Sequence, residues 1–363
     1  MTPQGRIAVP GSDEPRVSIV VPTTRQPELL AGCLRSLTAA TLGGPPCETV
    51  VVLNGASDET TDLVRTGVDG ARVAESAVNL GVAGGDNLGR DLARGELLIF
   101  VHDDTVFEPG WLGALVAVAD ARPEAGAIGS RVLDPDGRLQ TAGAVVFRDG
   151  SSWLLRDPAT PEHGVSAADY CSSSSLLVRA ETWDAVGGMD ERLFPAYHVD
   201  VDLGLAVWAA GRSVLCALDA RVRHVRGSSS SDRFRGFVGL RNKAQVREKW
   251  RAALDERVAC PAGPAAAEAP ACARAEAAAE RVRRTWKPQT GSGVGRPSPR
   301  DLTERERAAL ERASEVHTAY IAKLEVLADR AEGELHAIYS SRWWRLRERI
   351  PPALRHARWP RRP

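Results

Sequence analysis

Leu97-Leu98-Ile99-Phe100-Val101-His102-Asp103-Asp104-Thr105 decides how this chain is read. Five consecutive apolar residues suit a strand buried on both faces, as in a parallel sheet covered by helices. Such a strand can carry charge only where it leaves the core, so His102, Asp103 and Asp104 belong at its carboxyl end. Open α/β folds place their ligands along that edge. Two carboxylates and an imidazole there suit a metal and a phosphate.

Upstream, Val17-Ser18-Ile19-Val20-Val21-Pro22 is a β-branched run closed by proline, and residues 27–39 carry helical spacing through Leu30, Leu34 and Leu37. Thr49-Val50-Val51-Val52-Leu53 ends at Asn54-Gly55. A third strand is expected over 71–76, a glycine loop over 81–85 and a helix over 86–94. Downstream, the pattern predicts a helix over 110–121 and an extended segment over 126–132. A turn at Asp134-Pro135-Asp136-Gly137 then leads to a hairpin strand over 141–147. A strand within 171–178, helices over 181–186 and 202–210, and a strand over 213–217 complete the series. Strands alternating with helices imply an α/β fold with a mostly parallel central sheet and flanking helices.

Composition divides the 363 residues further. Residues 1–15 read as a flexible lead and residues 16–250 as one folded domain. Residues 251–300 are rich in Ala, Pro and Gly and read as a linker holding one short helix. Over 301–363, Leu310, Ala313, Tyr320, Leu324, Leu327, Ala331 and Ile338 follow a rough heptad stripe, consistent with a coiled-coil helix. From Arg342 to Arg362 eight arginines face the single Glu348, interleaved with Trp343, Trp344, Leu346, Ile350, Leu354 and Trp359. That pattern suits a helix lying on an anionic surface or against a second copy. Lys+Arg and Asp+Glu balance at 47 each, which argues against nucleic acid as a partner. Six cysteines without metal-like spacing suggest reduced thiols, and the absence of any run of about 18 apolar residues argues against a transmembrane span. A cytoplasmic protein, at most peripheral on the inner face of the membrane, is the expectation.

The order of these strings resembles the family 2 glycosyltransferases with the GT-A (Rossmann-like) fold, over roughly residues 16–230. VSIVVPTTRQPELLAGCLRSL looks like the family's opening strand and helix, VVLNGASDET like its second strand, and NLGVAGGDNLGRDLARGELLIFVHDDT like the stretch ending in its acidic, DXD-like motif. VGGMDERLFPAYHVDVDLGLAVWAAG is similar to the acceptor-side segment. The resemblance implies transfer of a sugar from a nucleotide-diphosphate donor to a glycan or lipid-linked acceptor, with inversion and with Mg²⁺ or Mn²⁺ as cofactor. It places Asp104 as the main metal ligand, with His102 and His224 assisting. Pro22, Thr23, Thr24, Arg25, Asn54, Asp58, Asn79, Gly81, Asn87 and Asp103 fall on the donor side. Asp200 is the general base with Asp202 beside it, and Ser173, Ser174, Asp190 and Glu191 fall on the acceptor side. Arg221, Arg223 and Arg226 with Ser228 to Ser231 would form a loop over the diphosphate, since guanidinium pairs with phosphate oxygens.

This chain departs from the family at His102, usually Asp or Asn, and at Val199, often acidic. Both departures leave room for a catalytically inactive scaffold as the competing reading. A dinucleotide-dependent oxidoreductase would need GxGxxG after the first strand, where Pro22-Thr23-Thr24 stands instead. The basic tail gives a direct test: deleting residues 340–363 is expected to abolish cosedimentation with anionic liposomes, and unchanged cosedimentation rules out membrane attachment through it.

Overall fold

The computed structural model describes residues 6–156, 162–225 and 232–260. All lie in the first of two compact units, Met1–Arg307. Residues 226–231 of the expected loop, most of the linker, and the coiled-coil and arginine-rich segments lie outside the described residues, while Arg221 and Arg223 belong to a strand, Ser213–His224.

The first half runs β1 (Ile7–Ala8), β2 (Val17–Thr23), α1 (Pro27–Ala40), β3 (Cys47–Asn54), α2 (Asp58–Gly67), β4 (Val68–Asp69), β5 (Arg72–Ser76), α3 (Gly81–Leu92) and β6 (Leu97–Val101). It continues through β7 (Thr105–Phe107), α4 (Trp111–Ala121), β8 (Ala125–Leu133), β9 (Leu139–Thr141), β10 (Ala144–Val146), β11 (Ser152–Leu154) and β12 (Val165–Ala167). The last part is β13 (Ser175–Arg179), α5 (Ala180–Val186), a 3₁₀ turn (Glu191–Leu193), α6 (Val199–Ala209), β14 (Ser213–His224), α7 (Asp232–Lys249) and α8 (Arg251–Asp255).

The main sheet has the order β12-β14-β8-β13-β6-β2-β3-β5, with β7 on β14 and β9 on β8. β14, β8, β6, β2, β3 and β5 point one way, while β13 and β12 run against their neighbours. The expected mostly parallel sheet is therefore present. Alternate residues of its central strands feed two cores. Ile19, Val21, Val51, Leu53, Ile99 and Val101 meet α1 and α4 on one face. Val20, Val50, Val52, Leu98 and Phe100 meet α5 and α6 on the other. This three-layer burial explains why β6 reads as an unbroken apolar run. Phe100 stacks on Trp183 with ring centroids 4.1 Å apart.

Three expectations change in detail. Residues 81–85, expected as a loop, form the first turns of α3. The glycines of α3 serve close packing: a Cβ on Gly85 would lie 2.9 Å from Asn54 Nδ2, and one on Gly89, a turn further on, would lie 2.2 Å from Val20 Cγ1. The lead is pinned where it is described, since β1 pairs with β4 and Arg6 bridges Asp69. Residues 251–258, compositionally linker-like, are packed, with Leu254 buried in α8 and Arg257 Nη1 2.6 Å from the buried Asp169.

Gly89→Ala measures the closeness of the helix and sheet. Alanine favours helix over glycine by about 1 kcal/mol, but overlap with Val20 costs about 1–3 kcal/mol. The expected result is a lower midpoint in urea unfolding with an unchanged slope.

Candidate functional site

Three parallel strands, β2, β3 and β6, end side by side at Thr23, Asn54 and Val101. β13 enters antiparallel with Ser175 opposite Val101, so the serines before it lie against the acidic tripeptide. The His102 backbone N–H donates to Ser174 O at 3.4 Å, and Thr105 Oγ1 donates to the same oxygen at 3.2 Å. β14 runs on past its expected end at residue 217 and pairs with β7, placing His224 opposite Thr105. The sequence reading ends the strand at residue 217, although Leu218, Ala220 and Val222 alternating with Asp219, Arg221 and Arg223 carry the period of a half-buried strand.

The sheet thus gathers groups 122 positions apart in sequence. His224 Nε2 lies 3.3 Å from Asp104 Oδ1 and 3.4 Å from His102 Nδ1. Ligand atoms of His102, Asp104 and His224 all fall within 4.8 Å of one another, the spacing a metal ion needs. Gln140, on β9, settles the tautomer of His224. Its Nε2 donates to Asp134 Oδ1 at 2.8 Å and to His224 O at 3.2 Å, so its Oε1 faces His224 Nδ1 at 3.0 Å and accepts. His224 therefore carries its proton on Nδ1 and turns a lone pair at Nε2 toward Asp104 and His102. His102 Nε2 lies 3.2 Å from Ser173 Oγ, which leaves its Nδ1 facing the same point. Burial lowers the His102 pKa to about 4 against the opposing pull of Asp104, so the ring is neutral near pH 7.

Asp103 points the other way and accepts from Thr23 Oγ1 at 2.7 Å. Burial raises its pKa to about 6 despite that bond, and Asp104 adds to the rise. Pro22 and Thr24 are partly buried beside it, and Arg25 and Asp58 are exposed. Asn54 accepts from Leu80 N at 2.8 Å and donates to Gly81 O at 3.0 Å, while Asn79 accepts from Gly81 N at 2.8 Å. These asparagines, expected on the donor side, therefore staple the end of β3 to the start of α3.

Asn87, expected on the donor side, instead donates to Met189 O at 3.0 Å and to Glu191 Oε1 at 2.8 Å, tying α3 to the turn before α6. Asp190 accepts from Arg192 Nε at 2.9 Å and Lys249 Nζ at 3.0 Å. Burial alone would raise its pKa, but these cations hold it well below the usual carboxylate range. Asp202 is buried, its two oxygens accepting from Lys249 Nζ and Trp250 Nε1, each at 2.7 Å. It anchors the C-terminal helices to α6. Asp200, two residues earlier, is half-buried, and its Oδ1 accepts from Val201 N at 2.9 Å. Burial raises its pKa to about 6. The backbone leading to it is strained: Tyr197 and His198 have φ of 69° and 66°, at about 1–3 kcal/mol each.

A family pattern described as Glycosyl transferase family 2 matches residues 18–164. The N-acetylglucosaminyl-diphospho-decaprenol L-rhamnosyltransferase of Mycobacterium tuberculosis is 30% identical over 225 residues, spanning 54% of this chain and 72% of that protein. This chain belongs to glycosyl transferase family 2. The O-antigen biosynthesis protein RfbC of Myxococcus xanthus is 35% identical over 245 residues, covering 62% of this chain but 18% of RfbC. A second relative, uncharacterized protein y4gI of Sinorhizobium fredii, is covered to 25%, so the chain spans a quarter or less of either. Among solved structures, GalNAc-T7 with UDP, GalNAc and Mn²⁺ superposes with a TM-score of 0.50 at 15% identity, over 67% of this chain and 50% of that one. The likeness establishes a GT-A fold. The family pattern ends at residue 164, so Asp200 and His224 of this glycosyltransferase domain lie beyond it.

The Gln140 arrangement is testable by nitrogen NMR. Long-range ¹⁵N–¹H spectra are expected to show His224 protonated on Nδ1, and Gln140→Leu to populate the Nε2 form. An unchanged tautomer in that variant rules out the assignment.

Proposed function

We propose that the domain transfers a sugar from a nucleoside-diphosphate donor to a hydroxyl of a glycan or lipid-linked acceptor, with inversion at the anomeric carbon. The observation that carries this reading is the convergence of Asp104, His224 and His102 at the carboxyl edge of β6. Two imidazole nitrogens and a carboxylate oxygen this close repel one another unless a cation or a proton lies between them. The donor set fits a divalent ion, and the imidazoles favour Mn²⁺ over Mg²⁺. When bound, such an ion neutralises charge developing on the departing diphosphate.

Pro22, Thr23, Thr24, Arg25, Asn54 and Asp58 line the edge where the nucleotide rests, and Asp103 faces it from the end of β6. Asp200 takes the proton of the acceptor hydroxyl as that oxygen attacks the anomeric carbon and the bond to the diphosphate breaks. A carboxyl held near pH 6 is a stronger base than an ordinary aspartate and remains ionised at neutral pH. Asp202 supports the helix that carries it. Ser173 and the turn at Asp190 and Glu191 border the acceptor side. The lipid-linked acceptor class follows the name of the mycobacterial relative.

Thermal-shift measurements with UDP, dTDP and GDP sugars test the donor side. One nucleotide class is expected to stabilise the protein only with Mn²⁺, by about 2.7 kcal/mol at 100-fold excess over Kd, and Asp104→Ala to abolish the shift. Asp200→Asn should keep that shift and lose transfer. Only the ionised base accepts a proton, so kcat/KM is expected to stay level above about pH 6 and to fall roughly tenfold per unit below it. Wild-type transfer by Asp200→Asn overturns the base, and no shift with any donor moves the domain to the inactive scaffold.

A further inference from the structure

Helix α7 reaches the segment in front of the base through the fully buried Asn242 and through Arg241, whose Nη2 donates to Phe194 O. Asn242 Nδ2 donates to Leu193 O at 2.7 Å, Ala196 O at 2.8 Å and Tyr197 O at 3.0 Å. Its Oδ1 accepts from Arg241 Nε at 3.0 Å. This fixes the orientation of the amide, because a flipped group would set an oxygen against three oxygens. Two N–H groups serve three carbonyls, so one hydrogen is shared.

The three carbonyls belong to the turn that opens α6. Its last residues, Tyr197 and His198, adopt the left-handed conformation that side chains disfavour, and Asp200 follows as the second residue of the helix. The other side of the turn rests on α3. Val82 N donates to Pro195 O at 2.7 Å, and Gly81 makes room, since a Cβ there would lie 2.6 Å from that oxygen. Two helices therefore grip a turn that would relax if either grip were lost, and the turn sets the direction in which the Asp200 carboxyl leaves α6.

We propose that Asn242 is a positioning residue for sugar transfer, its buried amide holding the left-handed turn that aims Asp200 at the acceptor. The inference rests on Asp200 being the base. Asn242 acts only through that residue and contributes nothing to holding the donor. Its loss should accordingly appear in kcat and leave donor affinity alone.

The experiment compares Asn242→Ala with Leu254→Ala, which removes a fully buried side chain of α8 away from the turn. Melting temperature, kcat and donor KM are measured on the full chain at a temperature where each variant is folded. Asn242→Ala is expected to lower kcat on the order of 100-fold, the penalty of misplacing a reacting group by about 1 Å. Donor KM should stay within about threefold, and Leu254→Ala should lose stability with kcat kept. If Asn242→Ala does not accumulate as folded protein, Asn242→Gln, which fills the space but displaces the amide, is held to the same criteria. Wild-type kcat in the Asn242 variant, or a loss no larger than that of Leu254→Ala, overturns the proposal. Asp200→Asn separates the two readings: if it is inactive while Asn242→Ala is normal, only the positioning role fails, and if it is active the base itself is wrong.

Discussion

The antiparallel pairing of β13 between β6 and β8 is the constraint on which the site depends. A wholly parallel sheet would have continued with another carboxyl edge beside Val101. Reversal of this one strand instead brings an amino-terminal end to the rim, and with it the serines at 172–174. It also sets β8, and β14 beyond it, at the spacing from which His224 can return to Asp104. Because β13 is buried on both sides, its register cannot slip by a residue without turning Leu177 and Val178 to opposite cores.

Much of this organisation was legible in sequence because burial leaves a simple trace. Strands covered on both faces must be apolar throughout, so β2, β3 and β6 could be found from residue type alone, and the charges of His102 to Asp104 could lie only at an end. Proline at the first turn of α1 and glycine after α6 marked helix limits for local steric reasons. The glycines of α3 misled for a physical reason too. A loop and a tightly packed helix both demand residues without a Cβ, and only the neighbouring Val20 and Asn54 distinguish them.

The functional side chains were less legible, since residue type does not say which partner a polar group has. Asp190, Asp200 and Asp202 are alike in sequence, yet Arg192 and Lys249 hold the first, and Lys249 and Trp250 engage the third. Gln140 and Asn242 carried no motif at all. Each is an amide whose two ends are assigned by surrounding donors and acceptors, information that exists only after the chain has folded. Glu48 makes the same point at the opposite edge of the sheet. Ser18, Arg94 and Arg72 surround its buried carboxylate, so an acidic residue there is part of the scaffold.

His102 and His224 face each other across 122 positions of chain. One belongs to the all-parallel half of the sheet and the other to the end of β14, beyond the reversed strand. A positive charge lodged between them would act as a non-covalent staple closing a very long loop, a closure whose entropic worth grows with the length enclosed. Occupancy of the site and integrity of the seam between the two halves of the sheet would thereby be thermodynamically linked, and a group suited to chemistry at the rim would also fasten the fold.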